Sequence, residues 1–406
     1  MTGAGTLWLG YILALNTALM ACDATPPPVP VSGAAHTGPG LTVVCSDFVS
    51  TSVALLNPDG RNVVAPVVIH SGQRPPGLQT ALSGDVVLPS MPHPDGLVLL
   101  IDRHPNAVLT FVEPSSGQIE RQISVATGFA SNPHDAAVTA DGHLLVTRYA
   151  THPSPRRADG LDRGDDVLVL DPSGEPLSRV GFEEPDGFPG RPDRIVEVSP
   201  GQYWVSLNRV SAQWEEYRPG RIARLTWSGP HRHLEPAPSV VLDDFANCGA
   251  MAVDTDRVTV SCTGAWDPST GRYDRASSGL AVFTTQGERI ATLPASDPRV
   301  EMPMSPAVVF GGDDRLYVVQ YGQDAATPDR VLSWAPGDDA IVVAYEAAEA
   351  WSLWGIGRAS DGVPLLPDAA PRSPRLCRLE DPIACISPCD VTGLPPKAVA
   401  PYLSSN

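Results

Sequence analysis

Asn132 to Tyr149 reads NPHDAAVTADGHLLVTRY. Ala136 to Thr139 is a short run of small and β-branched residues. Asp141-Gly142 supplies a tight hairpin turn, and His143 to Thr147 (HLLVT) is a second apolar run. An antiparallel hairpin brings its open ends together. Asn132, His134 and Asp135 therefore share one edge with Arg148 and Tyr149. Whether that edge recurs decides the fold.

It recurs. Turn signals after a first strand stand at Asp95-Gly96, Asp141-Gly142, Pro200-Gly201, Asp254 to Asp256, Gly312 to Asp314 and Asp361-Gly362. The runs LVLLI, HLLVT, QYWVSL, RVTVS, RLYVVQ and a weaker VPLL follow them. A second series of turns interleaves, ending at Gly60, Gly117, Gly174, Gly229, Gly287 and Gly337, with successive spacings of 57, 57, 55, 58 and 50 residues. Two hairpins in each such period predict an all-β propeller of four-stranded blades, because a blade buries both faces only against neighbours. Forty-three prolines and 36 glycines fit a turn-dense chain. A β-sandwich, or a tandem pair, is the rival, but sandwiches rarely keep so even a period.

Six turns of each kind favour six blades, with seven as the alternative. LTVVCSD, STSVALLN and RNVVAPVVI read as strands B, C and D lacking an A strand, and WSLWGIGRA near the C-terminus reads as the missing A strand. Joining them closes the ring from both chain ends and removes open edges. The seven-bladed alternative draws a further blade from Ser373 to Glu380 (SPRLCRLE).

PHDAAVTADGHLLVT and SPAVVFGGDDRLYVVQ resemble the repeats of bacterial YVTN- and NHL-type β-propellers over roughly residues 41 to 380. The resemblance implies the fold and an envelope or surface setting. It does not select a function, because such families include binders of proteins, sugars and small molecules as well as enzymes.

Leu7 to Met20 has the length of a signal-peptide apolar core. It ends in Leu19-Met20-Ala21-Cys22, which resembles a bacterial lipobox with Cys22 as the lipidated residue, although MTGAG carries no basic residue. The expected organisation is a lipoprotein signal at 1–21 and a Pro/Gly-rich tether at 22–40. The propeller follows at 41–362, then a cysteine-containing tail at 363–406 packed on or extending it. The expected address is the bacterial cell envelope, periplasmic or on the outer membrane or surface, with the membrane reached through Cys22. Of seven cysteines, six remain. Cys248 and Cys262 flank one hairpin and are expected to pair. Cys45 is expected to pair with one of Cys377, Cys385 and Cys389, and the other two with each other.

A net charge of −18, from 28 basic and 46 acidic residues, argues against nucleic-acid partners. The loops Tyr149 to Asp165, Arg209 to Gly220, Gly264 to Ser278 and Gly322 to Asp329 are long and fall on the face formed by the D–A and B–C connections, whereas the opposite turns are tight. Function is expected on the long-loop face. Its candidate ligand-binding residues are His134, Asp135, Arg148, Tyr149, Asp193, Arg194, Asn208, Arg209, Asn247, Trp266, Gln320 and Tyr321, at the channel mouth. Arg103 and Thr263 fill the same slot in other blades, and Trp214, Tyr217 and Tyr273 lie in the long loops. His134 and Asp135 read first as ties between blades and only second as ligand contacts, whereas Arg148 and Arg209 read equally well as ion pairs within the fold.

No metal site is expected and no cofactor. A structural calcium at Asp159, Asp162, Asp165 and Asp166 is a minor option whose spacing does not fit an EF-hand. No G-x-S-x-G, H-E-x-x-H or phosphate loop occurs. A non-catalytic envelope lipoprotein that binds a protein, glycan or small anionic ligand ranks first. A metal-dependent lactonase-like hydrolase using Asp135, Asp193, Asn208 and Asn247 ranks second, and a surface scaffold third.

Overall fold

The computed structural model describes residues 38–154, 158 and 160–404. Seven four-stranded antiparallel sheets form the ring of a β-propeller. Blade 1 combines Pro396–Tyr402 with Gly40–Ser46, Thr51–Leu56 and Val63–His70. Blade 2 spans Val86–Val87 to Ile119–Ser124, blade 3 Pro133–Val138 to Pro176–Gly181, and blade 4 Pro192–Ser199 to His233–Ala246. Blade 5 runs from Cys248–Asp254 to Arg289–Pro294, blade 6 from Met304–Phe310 to Ile341–Glu346, and blade 7 from Gly357–Arg358 to Ala384–Ile386. A small hairpin, Trp266–Asp267 with Arg272–Tyr273, sits in the B–C loop of blade 5.

Seven blades correct the expectation of six and match the alternative. In WSLWGIGRA only Gly357–Arg358 forms a strand, and it opens blade 7 by pairing with Pro364–Asp368. The strand that completes blade 1 is Pro396–Tyr402, paired with Gly40–Ser46. The segment read as a tail thus supplies, over its residues 364–402, most of blade 7 and the innermost strand of blade 1.

Alternation along each strand explains the packing. Leu168 and Leu170 turn toward blade 2, while Val167 and Val169 turn toward blade 4. The same division repeats around the ring, so seven apolar clusters fill the seven gaps between blades. Central strands are therefore buried on both faces and read as continuous apolar runs. Hydroxyls near the ends of B strands stitch adjacent blades: Thr147 donates to the Asp193 carbonyl, Ser206 to Gly249 and Ser261 to Ser305, each at 2.7 Å.

Three disulfides join Cys45 to Cys389, Cys248 to Cys262 and Cys377 to Cys385; the pair within the blade 5 hairpin is the one expected, and Cys389 is the tail cysteine that Cys45 takes of the three left open. The first closes a span of 344 residues and staples blade 1 to the segment that leads into its own innermost strand. Cross-links of this kind stabilise mainly by restricting the unfolded chain.

Candidate functional site

The channel mouth on the long-loop face is built by one backbone device repeated in every blade. A residue at or next to the end of strand B donates its N–H to a carbonyl that precedes strand A. Examples are Tyr149 to Asn132 at 3.1 Å, Asn208 to Arg191 at 3.0 Å, Thr263 to Asn247 at 3.0 Å and Ser46 to Pro395 at 2.8 Å. Arg103 to Asp85, Tyr321 to Pro303 and Ala369 to Ser352 complete the set. Two residues beyond each acceptor lies an equivalent position, on the innermost strand in blades 1 to 6 and in the segment entering blade 7. Reading from blade 1, these positions hold Lys397, Val87, His134, Asp193, Gly249, Ser305 and Trp354.

In blades 1, 3, 4, 5 and 6 this position falls in a register shift. Cys45 pairs with Pro396 and Val44 with Ala398, leaving Lys397 unpaired. His134 and Gly249 are left out of their ladders in the same way, and Asp193 and Ser305 lie inside wider shifts. A bulge takes a residue out of the alternation and re-aims its side chain. Asn132, Arg191 and Asn247 precede the bulges with φ of 52°, 55° and 55°. Arg191 is held there by Asp165, whose carboxylate accepts its N–H at 2.6 Å and that of Gly190 at 2.9 Å.

Side-chain contacts run between neighbouring ring members. His134 Nδ1 lies 3.1 Å from Asp193 Oδ1, and Asn208 Nδ2 donates to Asp193 Oδ2 at 3.1 Å. Asp193 accepts only, so His134 carries its proton on Nδ1 and turns Nε2 toward the Asn132 amide at 3.3 Å. The imidazole stacks on Tyr149 with ring centroids 4.2 Å apart. Burial opposes ionisation of Asp193, but His134 and Arg194 outweigh it and hold the carboxyl at about 2. Burial lowers the His134 pKa; the Asp193 carboxylate opposes that shift, and the charges of Arg103 and Arg194 add to it. Gly249 is required here, since a Cβ would stand 2.7 Å from Asp193 Oδ2.

Arg194 reaches from blade 4 to the Leu88 carbonyl of blade 2 at 3.3 Å, spanning past blade 3. Arg103 Nε donates to Asp85 Oδ1 at 3.1 Å, and Lys397 Nζ lies 3.4 Å from the same oxygen. Lys397 also sits 4.4 Å from the centroid of the Phe48 ring, which packs on Trp354 at 4.5 Å. Burial, reinforced by Arg103 and opposed by Asp85, brings the Lys397 pKa down to about 8.

Other candidates from the sequence lie elsewhere or serve the fold. Arg148 is fully buried, bidentate to Asp166 with both bonds at 2.7 Å, and also bonded to Thr127 and the Leu161 carbonyl. Arg209 pairs with Glu184 and donates to the Pro219 carbonyl. Asp135 accepts N–H groups from Ser90, Ala136 and Ile195, tying blades 2, 3 and 4. Gln320 donates to the Met302 carbonyl of its own blade. Trp266 packs on Tyr273 in the blade 5 hairpin. Burial raises the Tyr321 phenol, with Tyr273 close enough to add to the effect. Asn247 supplies its carbonyl to Thr263. Asp165 and Asp166 bond to protein donors, and Asp159 lies outside the described residues, as does Cys22. Among the described residues no three His, Cys, Asp or Glu side chains are grouped to hold a metal ion.

Sequence reasoning missed Lys397, Asp85, Gly249, Phe48 and Trp354 as members of the mouth. Lys397 had a faint signal, a lone lysine inside the short β-like run PKAVAPY.

No protein-family model matches the chain, and no curated protein matches it. Solved propellers do. A candidate 6-phosphogluconolactonase from Bacteroides fragilis superposes with a TM-score of 0.57 at 9% identity, covering 92% of this chain and 99% of its own. The periplasmic gluconolactonase of Pseudomonas aeruginosa gives 0.55 at 14% identity, with 90% and 99% covered. A catalytically inactive variant of virginiamycin B lyase from Staphylococcus aureus, with quinupristin, gives 0.50 at 11% identity, with 75% and 84% covered. At these identities the likeness is one of fold.

Proposed function

We propose that the long-loop face is a non-catalytic binding face for an anionic ligand, seated at the mouth by Arg103, Arg194 and Lys397. One observation carries the reading. Three cations meet around one ring in a chain of net charge −18, balanced locally by Asp85 and Asp193. Arg103 and Arg194 keep 25% and 27% of their side chains exposed, so their guanidinium groups remain available to a carboxylate or phosphate. The chain is held at the bacterial envelope through a lipid on Cys22, and the Pro/Gly-rich stretch before blade 1 is its tether.

The test is calorimetric titration of the full chain with citrate at low salt. A saturable isotherm that disappears in the Arg103→Ala/Arg194→Ala double variant supports the reading. The absence of saturable heat in the parent protein removes it. Labelling with radioactive palmitate in a bacterial host, lost on Cys22→Ala, tests the anchor.

A second reading, a lactonase-like hydrolase, draws on the His134–Asp193 pair and on the gluconolactonase among the fold neighbours. An imidazole oriented by a carboxylate is a suitable general base. Turnover of δ-lactones that is lost on His134→Gln would bring this reading forward.

A further inference from the structure

Four phenylalanine and tryptophan side chains are exposed among the described residues: Phe48, Trp214, Trp351 and Trp354, at 41–47%. All four sit on the long-loop face. Trp214 lies in the B–C loop of blade 4, beside Tyr149 at 6.2 Å between ring centroids. Phe48 belongs to the B–C turn of blade 1, and Trp351 and Trp354 to the segment entering blade 7. In a ring of seven, blade 4 faces the junction of blades 7 and 1. The exposed rings therefore form two rims on opposite sides of the mouth, with the cations between them.

We propose that the ligand is an acidic oligosaccharide, lying across the mouth from the Trp214 rim to the Phe48/Trp354 rim with its carboxylates over Arg103 and Arg194. This rests on the anion-binding reading above and specifies its ligand. Half-exposed aromatic rings, Trp214 on one rim and the Phe48/Trp354 pair on the other, suit the flat C–H faces of sugars, whereas a peptide anchor asks for a desolvated pocket. The carboxylates decide between polyanions. Asp85 and Asp193 stand among the cations with 27% and 14% of their side chains exposed. They repel any anion, but a sugar offsets that repulsion by donating its hydroxyls to them, whereas the side chains of an acidic peptide, and polyphosphate, bring charge without hydroxyl donors. A chain of sugars carrying a single carboxylate per unit presents both groups in alternation.

The experiment is calorimetry of the full chain with galacturonate, tetragalacturonate, neutral cellotetraose and tetraglutamate. Tetragalacturonate is expected to bind at least about tenfold more tightly than galacturonate, because both rims engage only a longer ligand. Cellotetraose and tetraglutamate are expected to bind at least about tenfold more weakly than tetragalacturonate. Trp214→Ala and Trp354→Ala should each bring the tetramer toward the affinity of the monomer. Both rings are about half exposed, and unchanged thermal melts will confirm that the variants fold. Equal affinity for monomer and tetramer overturns the span while leaving the anion site intact. Tetraglutamate binding as tightly as tetragalacturonate overturns the glycan in favour of a peptide. Binding of citrate but of no uronide rejects this ligand class alone, and binding of none of these anions removes the anion site as well.

Discussion

The molecule contains two clusters of arginine and aspartate that differ in what surrounds them. At the base of the long loop of blade 3, Arg148 and Arg179 share Asp166, and Arg148 and Asp166 have no exposed side-chain surface. At the channel mouth, Arg103 and Arg194 meet Asp85 and Asp193 with roughly a quarter of each guanidinium side chain open to water. The first cluster is saturated by protein groups and fixes a loop. The second has charge to share with a visitor. Arginine near the end of a strand is thus no sign of a binding site until its hydrogen bonds are traced.

Removing Asp166 tests the sealed cluster and has the largest expected effect. Asp166→Ala leaves Arg148 buried without its carboxylate, and breaking a buried pair from one side costs about 3–5 kcal/mol. Urea denaturation should show a loss of that size. A loss below about 1 kcal/mol would mean that the blade 3 cluster is as loosely held as a surface pair.

Arg194→Ala tests the open cluster. Its Asp193 contact is 3.8 Å and partly solvated. The stability change should therefore stay within about 1 kcal/mol, while citrate affinity falls about tenfold. A large stability loss with unchanged citrate binding would place Arg194 with Arg148, as a residue of the fold.

The sequence made the ring legible where its signals are local. Asp141-Gly142 and its equivalents fix the hairpins, and the hairpins place His134 with Tyr149, Asp193 with Asn208 and Ser305 with Tyr321 at one edge. Two features were hidden for physical reasons. The innermost strand of blade 1, Pro396–Tyr402, pairs with a strand more than 300 residues earlier, and no local pattern announces such a partner. Lys397 went unseen with it, and the seventh blade stood only as the alternative to six. The bulges hid the directions of side chains. A register shift breaks the alternation from which facing is read. Arg148 borders a shift in both of its ladders and Arg194 lies inside one in strand A, so the two looked alike.

The smallest expected effect separates the two clusters by pH. Lys397 belongs to the open cluster and titrates at about 8, beside Asp85, Arg103 and the Phe48 ring. Its ammonium attracts an anion only while protonated, so citrate affinity should fall a few-fold, on the order of the loss of one nearby charge, as pH rises from 7 through 8, a range in which citrate stays fully ionised. Stability runs the other way. The folded pKa lies below that of the unfolded lysine, so between about 8 and 10.5 the unfolded chain binds more protons, and folding gains as pH rises. Opposite slopes cannot arise from alkaline unfolding, which would weaken binding and stability together. Lys397→Arg keeps its charge throughout this range, and the difference between it and the parent protein isolates the one group. Citrate binding that is equally flat in both proteins from pH 7 to 9.5 would take Lys397 out of the mouth.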